Sequence, residues 1–119
     1  RIPACVAETD ALLEQHFPGA RLVNYGHLGD GNLHYNVQAP DSADAEAFLR
    51  DQEGPINALV YEVVDRYNGS ISAEHGIGSL KREKLAHHKS PVALGAMRAI
   101  KGALDPHNLL NPGRVLAVD

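Results

Sequence analysis

The sequence predicts an α+β domain with a mainly antiparallel sheet, and three observations lead there. Apolar residues recur at helical spacing in several segments. Two short alternating stretches flank a glycine-rich turn and read as a hairpin. The resulting order of helix, hairpin, helix, strand, helices separates helices from strands instead of interleaving them into a parallel sheet.

Taken in order, Ile2, Val6, Leu13 and Phe17 fit one face of a first helix, with Pro3 in its opening turn and Pro18-Gly19 as its stop. Residues Ala20 to Tyr25 then read as a strand, and its hairpin partner ends at Ala39-Pro40, across a loop longer than the two-residue minimum. Gly26, Gly29 and Gly31 are expected to supply the positive φ angles of that turn. Ser42 suits the N-cap of a helix broken at Gly54-Pro55, where proline removes a backbone donor. Beyond the break, Ile56, Leu59, Val60, Val63, Val64 and Tyr67 form the strongest apolar stripe in the chain, closed by Asn68-Gly69.

Ile71 and Ala73 alternate with Ser72 and Glu74, so a further short strand is expected to end in the carboxylate. Ser79 is the expected cap of a helix to about His88. Ser90-Pro91 opens another helix, with Ala93, Met97, Ile100 and Leu104 on one face and Asp105-Pro106 at its end. The tail LLNPGRVL combines turn-formers with aliphatics and is expected to return to the body of the protein.

The 119 residues suffice for one core but are short for a complete cofactor enzyme. Arg1 stands where a start methionine would, which fits a fragment or a processed piece. A net charge of -4 argues against a nucleic-acid partner, and Glu83 interrupts the cluster of Lys81, Arg82 and Lys84. No apolar run approaches the roughly 20 residues of a membrane span. The single Cys5 has no partner for an internal disulfide and reads as a small buried side chain, in keeping with a reducing, cytoplasmic setting.

The chemistry concentrates in YGHLGDGNLHYN, residues 25 to 36, with His27 and His34 at either end of the turn. A turn that folds back sets the two imidazoles side by side, and His34 shares a strand face with Asn36. Glu74, in ISAEHGIG, is a candidate third ligand. Two histidines and a carboxylate make an open set suited to zinc, iron or manganese. The plainer alternative is a pair of hydrogen-bonded rings with no ligand role. If the chain bends at Gly76, His75 stands clear of the metal and can act as a base. His16, His87, His88 and His107 lack such a setting and read as surface residues, and Asn111 before Pro112-Gly113 reads as a turn residue.

Other motifs are excluded. The glycines of residues 26 to 31 run in the reverse order of the dinucleotide fingerprint, and Lys81 stands where GIG would need its third glycine. Tyr35 occupies the glycine position of an EF-hand loop.

Together, YGHLGDGNLHYN, GSISAEHGIGSLKREKL and KGALDPHNLLNPGRVL resemble, in order and over Val23 to Leu116, the C-terminal domain of FAD-linked oxidoreductases acting on D-2-hydroxy acids. That group includes D-lactate dehydrogenase, D-2-hydroxyglutarate dehydrogenase and the glycolate oxidase flavoprotein subunit. The resemblance implies part of a ferredoxin-like α+β substrate domain, with the FAD-binding domain of the parent absent from this chain. It implies His27, His34 and Glu74 as ligands of a divalent metal, often zinc. It further implies Asn36 beside the substrate, His75 as catalytic base and Asn111 approaching the flavin.

The parent is then expected to oxidise a 2-hydroxy acid with FAD and to pass electrons to an unidentified acceptor, while this chain alone is inactive. For that parent, peripheral membrane association and the mitochondrial matrix stay open beside the cytoplasm. Uncovered sheet edges fit a homodimer. A metal-binding or regulatory module without redox chemistry is the alternative, and a metal hydrolase a third reading.

Overall fold

A computed structural model describes residues 1–41 and 44–117. The chain divides into two compact units, Arg1–Ala73 and Glu74–Asp119. The first holds helix α1 (Ile2–His16), strands β1 (Arg21–His27) and β2 (Asn32–Gln38), and helix α2 (Ala45–Arg66). The second holds helices α3 (Arg82–His88) and α4 (Pro91–Leu104).

In the first unit α1 packs on α2, and the core lies where Thr9 and Leu13 meet the stripe of Ile56 and Val63. Thr9 buries its hydroxyl at little cost because Oγ1 donates to the Cys5 carbonyl one turn back, at 2.7 Å. Cys5 itself is free and only half-buried, not the buried side chain the sequence suggests; it lies one turn before Thr9, near the start of α1. Arg66 donates to Glu8 across the two helices at 2.6 Å.

Ser42, expected to cap α2, lies outside the described residues. The N-cap is Asp44, whose carboxylate accepts from the amides of Glu46 and Ala47. The expected break at Gly54-Pro55 is not there: α2 continues through Pro55 for 22 residues. An internal proline costs a helix ~3 kcal/mol, and the buried stripe that begins at Ile56 keeps the following turns in line against α1. The helix ends as expected. Asn68 turns to φ 56, its amide bonds to Asp65 and that of Gly69 to Val64, the paired hydrogen bonds of a Schellman cap.

Strands β1 and β2 pair antiparallel, from Arg21 opposite Gln38 to His27 opposite Asn32. One 3-10 turn, Leu28–Asp30, and Gly31 at φ 68 join them. Of the three glycines expected at positive φ, only Gly31 is there. Gly26 serves a different need, since a Cβ at that position would stand 2.3 Å from the Asn32 carbonyl oxygen. Gly29 meets neither condition.

The expected strand at residues 71–74 does not form, and the chain bends at Ile71 and again from Ala73 to His75. Among the described residues the sheet has two strands only, β1 and β2, and this segment is in neither.

In the second unit Leu85 and Leu94 are buried. Leu94, outside the face read from the sequence, is the buried residue of α4, whereas Ile100 and Leu104 stay exposed. Ser90 caps α4 by accepting from Ala93. Ser79 does not cap α3, whose N-cap is Lys81; instead the Ser79 hydroxyl accepts from Arg114 at 2.6 Å. The tail does return: Val115 donates to the Gly78 carbonyl at 2.7 Å and Arg82 to that of Gly113 at 3.0 Å. Val115 takes φ 65, unusual for a β-branched residue, at the centre of a γ-turn closed by Leu116 onto Arg114.

Asp105 ties the end of α4 to the loop after it. Its buried carboxylate accepts from Lys101 and from the amides of Leu109 and Leu110. The Lys101 hydrogen bond, with those two amides, holds its pKa below the ordinary carboxylate value against the opposing effect of burial. A folded-state pKa below the unfolded one stabilises above the unfolded value, and that contribution is lost as pH falls through the folded one. The melting temperature of Asp105→Asn is therefore expected to lie below wild type at neutral pH, with the gap closing below about pH 4.

Candidate metal centre

Direct pairing places Val23 with Asn36, Tyr25 with His34 and His27 with Asn32, so these six side chains share one face of the hairpin. Leu22, Asn24, Leu33, Tyr35 and Val37 occupy the other. There the Tyr35 hydroxyl donates to Asp10 of α1, which secures the hairpin to the helix. Burial, and next this bond to Asp10, push the Tyr35 pKa up, so the phenol stays protonated.

On the first face the two histidines meet along the diagonal of the ladder. Their ring centroids are 5.7 Å apart and nearly perpendicular, and each offers a nitrogen within 4.8 Å of the other's. Two nitrogens bound to one tetrahedral zinc at about 2.1 Å stand roughly 3.4 Å apart. The two imidazoles offer nitrogens close to that spacing, and the pair fits a shared divalent ion.

Each ring has a neighbour that fixes it. Tyr25 stacks on His34 with a centroid separation of 4.9 Å and planes 2° apart. The Asn32 amide faces Nδ1 of His27 at 3.5 Å. Neither neighbour was singled out from the sequence, although a four-residue loop between His27 and Asn32 already sets them opposite one another.

Asn36, on the same face, is exposed and donates to the Val23 carbonyl at 3.2 Å. Glu74 and His75 lie in the second unit, exposed, in the bend that opens it. Asn111, also in the second unit, begins a turn closed by the Arg114 amide on its carbonyl at 3.2 Å, with Pro112 and Gly113 between them. The structure thus brings together His27, His34 and Asn36 on one strand pair. His16, His87 and His107 are exposed and His88 is half-buried.

The model for the FAD linked oxidases, C-terminal domain, matches residues 1–115. The chain belongs to this family. It is 43% identical over 117 residues to a D-2-hydroxyglutarate dehydrogenase of Stutzerimonas stutzeri, covering 98% of this chain and 25% of that protein. It is 46% identical over 116 residues to one of Xanthomonas citri pv. viticola, covering 96% and 24%. Against the mitochondrial D-2-hydroxyglutarate dehydrogenase of Bos taurus it is 46% identical over 100 residues, covering 83% and 17%. The FAD-linked oxidase chain thus spans about a quarter of the length of these bacterial relatives. Among its described residues no helix is long and apolar enough to cross a membrane.

Proposed function

We propose that this chain is the metal-bearing part of a flavin-dependent dehydrogenase that oxidises D-2-hydroxyglutarate, or a close D-2-hydroxy acid, to the 2-oxo acid. The observation that carries this reading is the facing pair His27 and His34 on the hairpin of an FAD-linked oxidase C-terminal domain. Family membership favours it over a metal hydrolase or a module without redox chemistry. The relatives' names suggest the substrate.

In this reading His27, His34 and Glu74 hold a divalent ion, zinc in the first instance, with manganese and iron as the other candidates. When bound, the ion supplies Lewis-acid polarisation that makes the substrate hydroxyl easier to deprotonate. His75 takes the hydroxyl proton on its imidazole nitrogen. FAD, held mainly by a domain outside this chain, supplies the sink for the α-hydrogen and its electron pair. Asn36 hydrogen-bonds a substrate oxygen, and Asn111 lies toward the flavin. The substrate thus loses one hydride and one proton, and a further electron acceptor restores the oxidised flavin.

The test uses the full-length protein without oxygen. D-2-hydroxyglutarate is expected to bleach the flavin's visible absorbance, and the L enantiomer is not. Bleaching by another D-2-hydroxy acid alone would keep the dehydrogenase and change the substrate. No bleaching by any would overturn the reading.

A further inference from the structure

The contact between Asn32 and His27 bears on which ring nitrogen reaches the metal. Asn32 is buried, 9% exposed, beside an exposed histidine. It stands directly opposite His27 at the last pair of the ladder. The absence of a side chain at Gly26 lets the strands close there, because a Cβ would collide with the Asn32 carbonyl. The amide therefore has a defined position, drawn with Nδ2 toward the ring, 3.5 Å from Nδ1 and at the long end of hydrogen-bond range.

An amide can face the ring with either end, since its oxygen and nitrogen exchange on a half-turn with no change of shape. With Nδ2 toward the ring, the amide donates to Nδ1, the ring proton sits on Nε2, and no lone pair remains for an ion. With Oδ1 toward the ring, Nδ1–H donates and Nε2 carries a free lone pair. Ligating histidines characteristically donate their other N–H to a neighbouring oxygen, which fixes tautomer and orientation.

We infer that Asn32 is a positioning residue of the metal centre: its side-chain oxygen accepts from Nδ1–H of His27 and so presents Nε2 as the ligand atom. This rests on the proposed metal site and adds to it the residue that selects the nitrogen.

The test compares zinc affinity, by competition with a chromophoric chelator, in full-length wild type, Asn32→Leu and Asn32→Asp. Leucine keeps the bulk and removes the acceptor, and affinity is expected to fall about 10–100-fold. Aspartate keeps an oxygen toward Nδ1–H and is expected to stay near wild type. A purely structural amide would be lost equally in both. Unchanged affinity in Asn32→Leu, or an Asn32→Asp as weak as Asn32→Leu, overturns the inference while leaving the metal site standing. A wild type that binds no zinc overturns both.

Should Asn32→Leu not fold, the wild type decides by nitrogen NMR of histidine-labelled, zinc-loaded protein. A protonated Nδ1 and metal-bound Nε2 on His27 support the inference, and ligation through Nδ1 overturns it.

Discussion

Replacing His75 by alanine in the full-length enzyme is expected to lower turnover roughly 10²–10⁴-fold, the usual contribution of a positioned general base, while zinc content stays near that of wild type. His75 follows the proposed ligand Glu74 directly in sequence, and both lie in the bend that opens the second unit. A ligand and a base side by side differ in what their loss does. Removing a ligand takes the ion and the activity together, whereas removing the base leaves a loaded site that deprotonates the hydroxyl slowly. Equal loss of metal and turnover in His75→Ala would make His75 a ligand, and unchanged turnover would remove it from the chemistry. The irregular backbone at this point suits the assignment, because on a regular strand neighbouring side chains point to opposite faces.

Much of this arrangement was legible from local pattern. The α2 stripe from Ile56 to Tyr67, the Asn68-Gly69 cap and the Ser90-Pro91 start each follow from a few adjacent residues whose chemistry acts within one turn. The hairpin was legible for the same reason, and with it the approach of His27 to His34. What local pattern misjudged depends on partners distant in sequence. Pro55 looked like a break because a proline in isolation is one, yet the packing of α2 on α1 holds the helix through it. Residues 71–74 alternate as a strand should, but a strand also needs a neighbour. Ser79 looked like a helix cap until Arg114, 35 residues away, claimed its hydroxyl. Gly26 in a turn points to a positive φ, whereas its role is the space it leaves for Asn32, visible only once the register is known.

Exchanging either proposed ligand type should remove the metal. In the full-length protein, His34→Ala and Glu74→Gln are each expected to weaken zinc binding by more than about 100-fold, beyond the 10–100-fold typical of groups that only support a ligand. The two substitutions ask different questions. His34→Ala removes a ring whose place on the hairpin is set by its pairing and its stack with Tyr25, so it tests whether the imidazole pair binds at all. Glu74→Gln keeps shape and removes charge, so it tests whether a carboxylate from the second unit completes the set.

A thermal readout runs alongside, because an ion that binds only the folded state stabilises it by about 2.7 kcal/mol at a free concentration 100 times its Kd. Zinc should therefore raise the melting temperature of wild type and leave both variants nearly unmoved. If Glu74→Gln keeps wild-type affinity while His34→Ala loses it, the ion is held by the hairpin with a different third partner. If both keep it, the two histidines are hydrogen-bonded rings and the metal, if any, lies elsewhere.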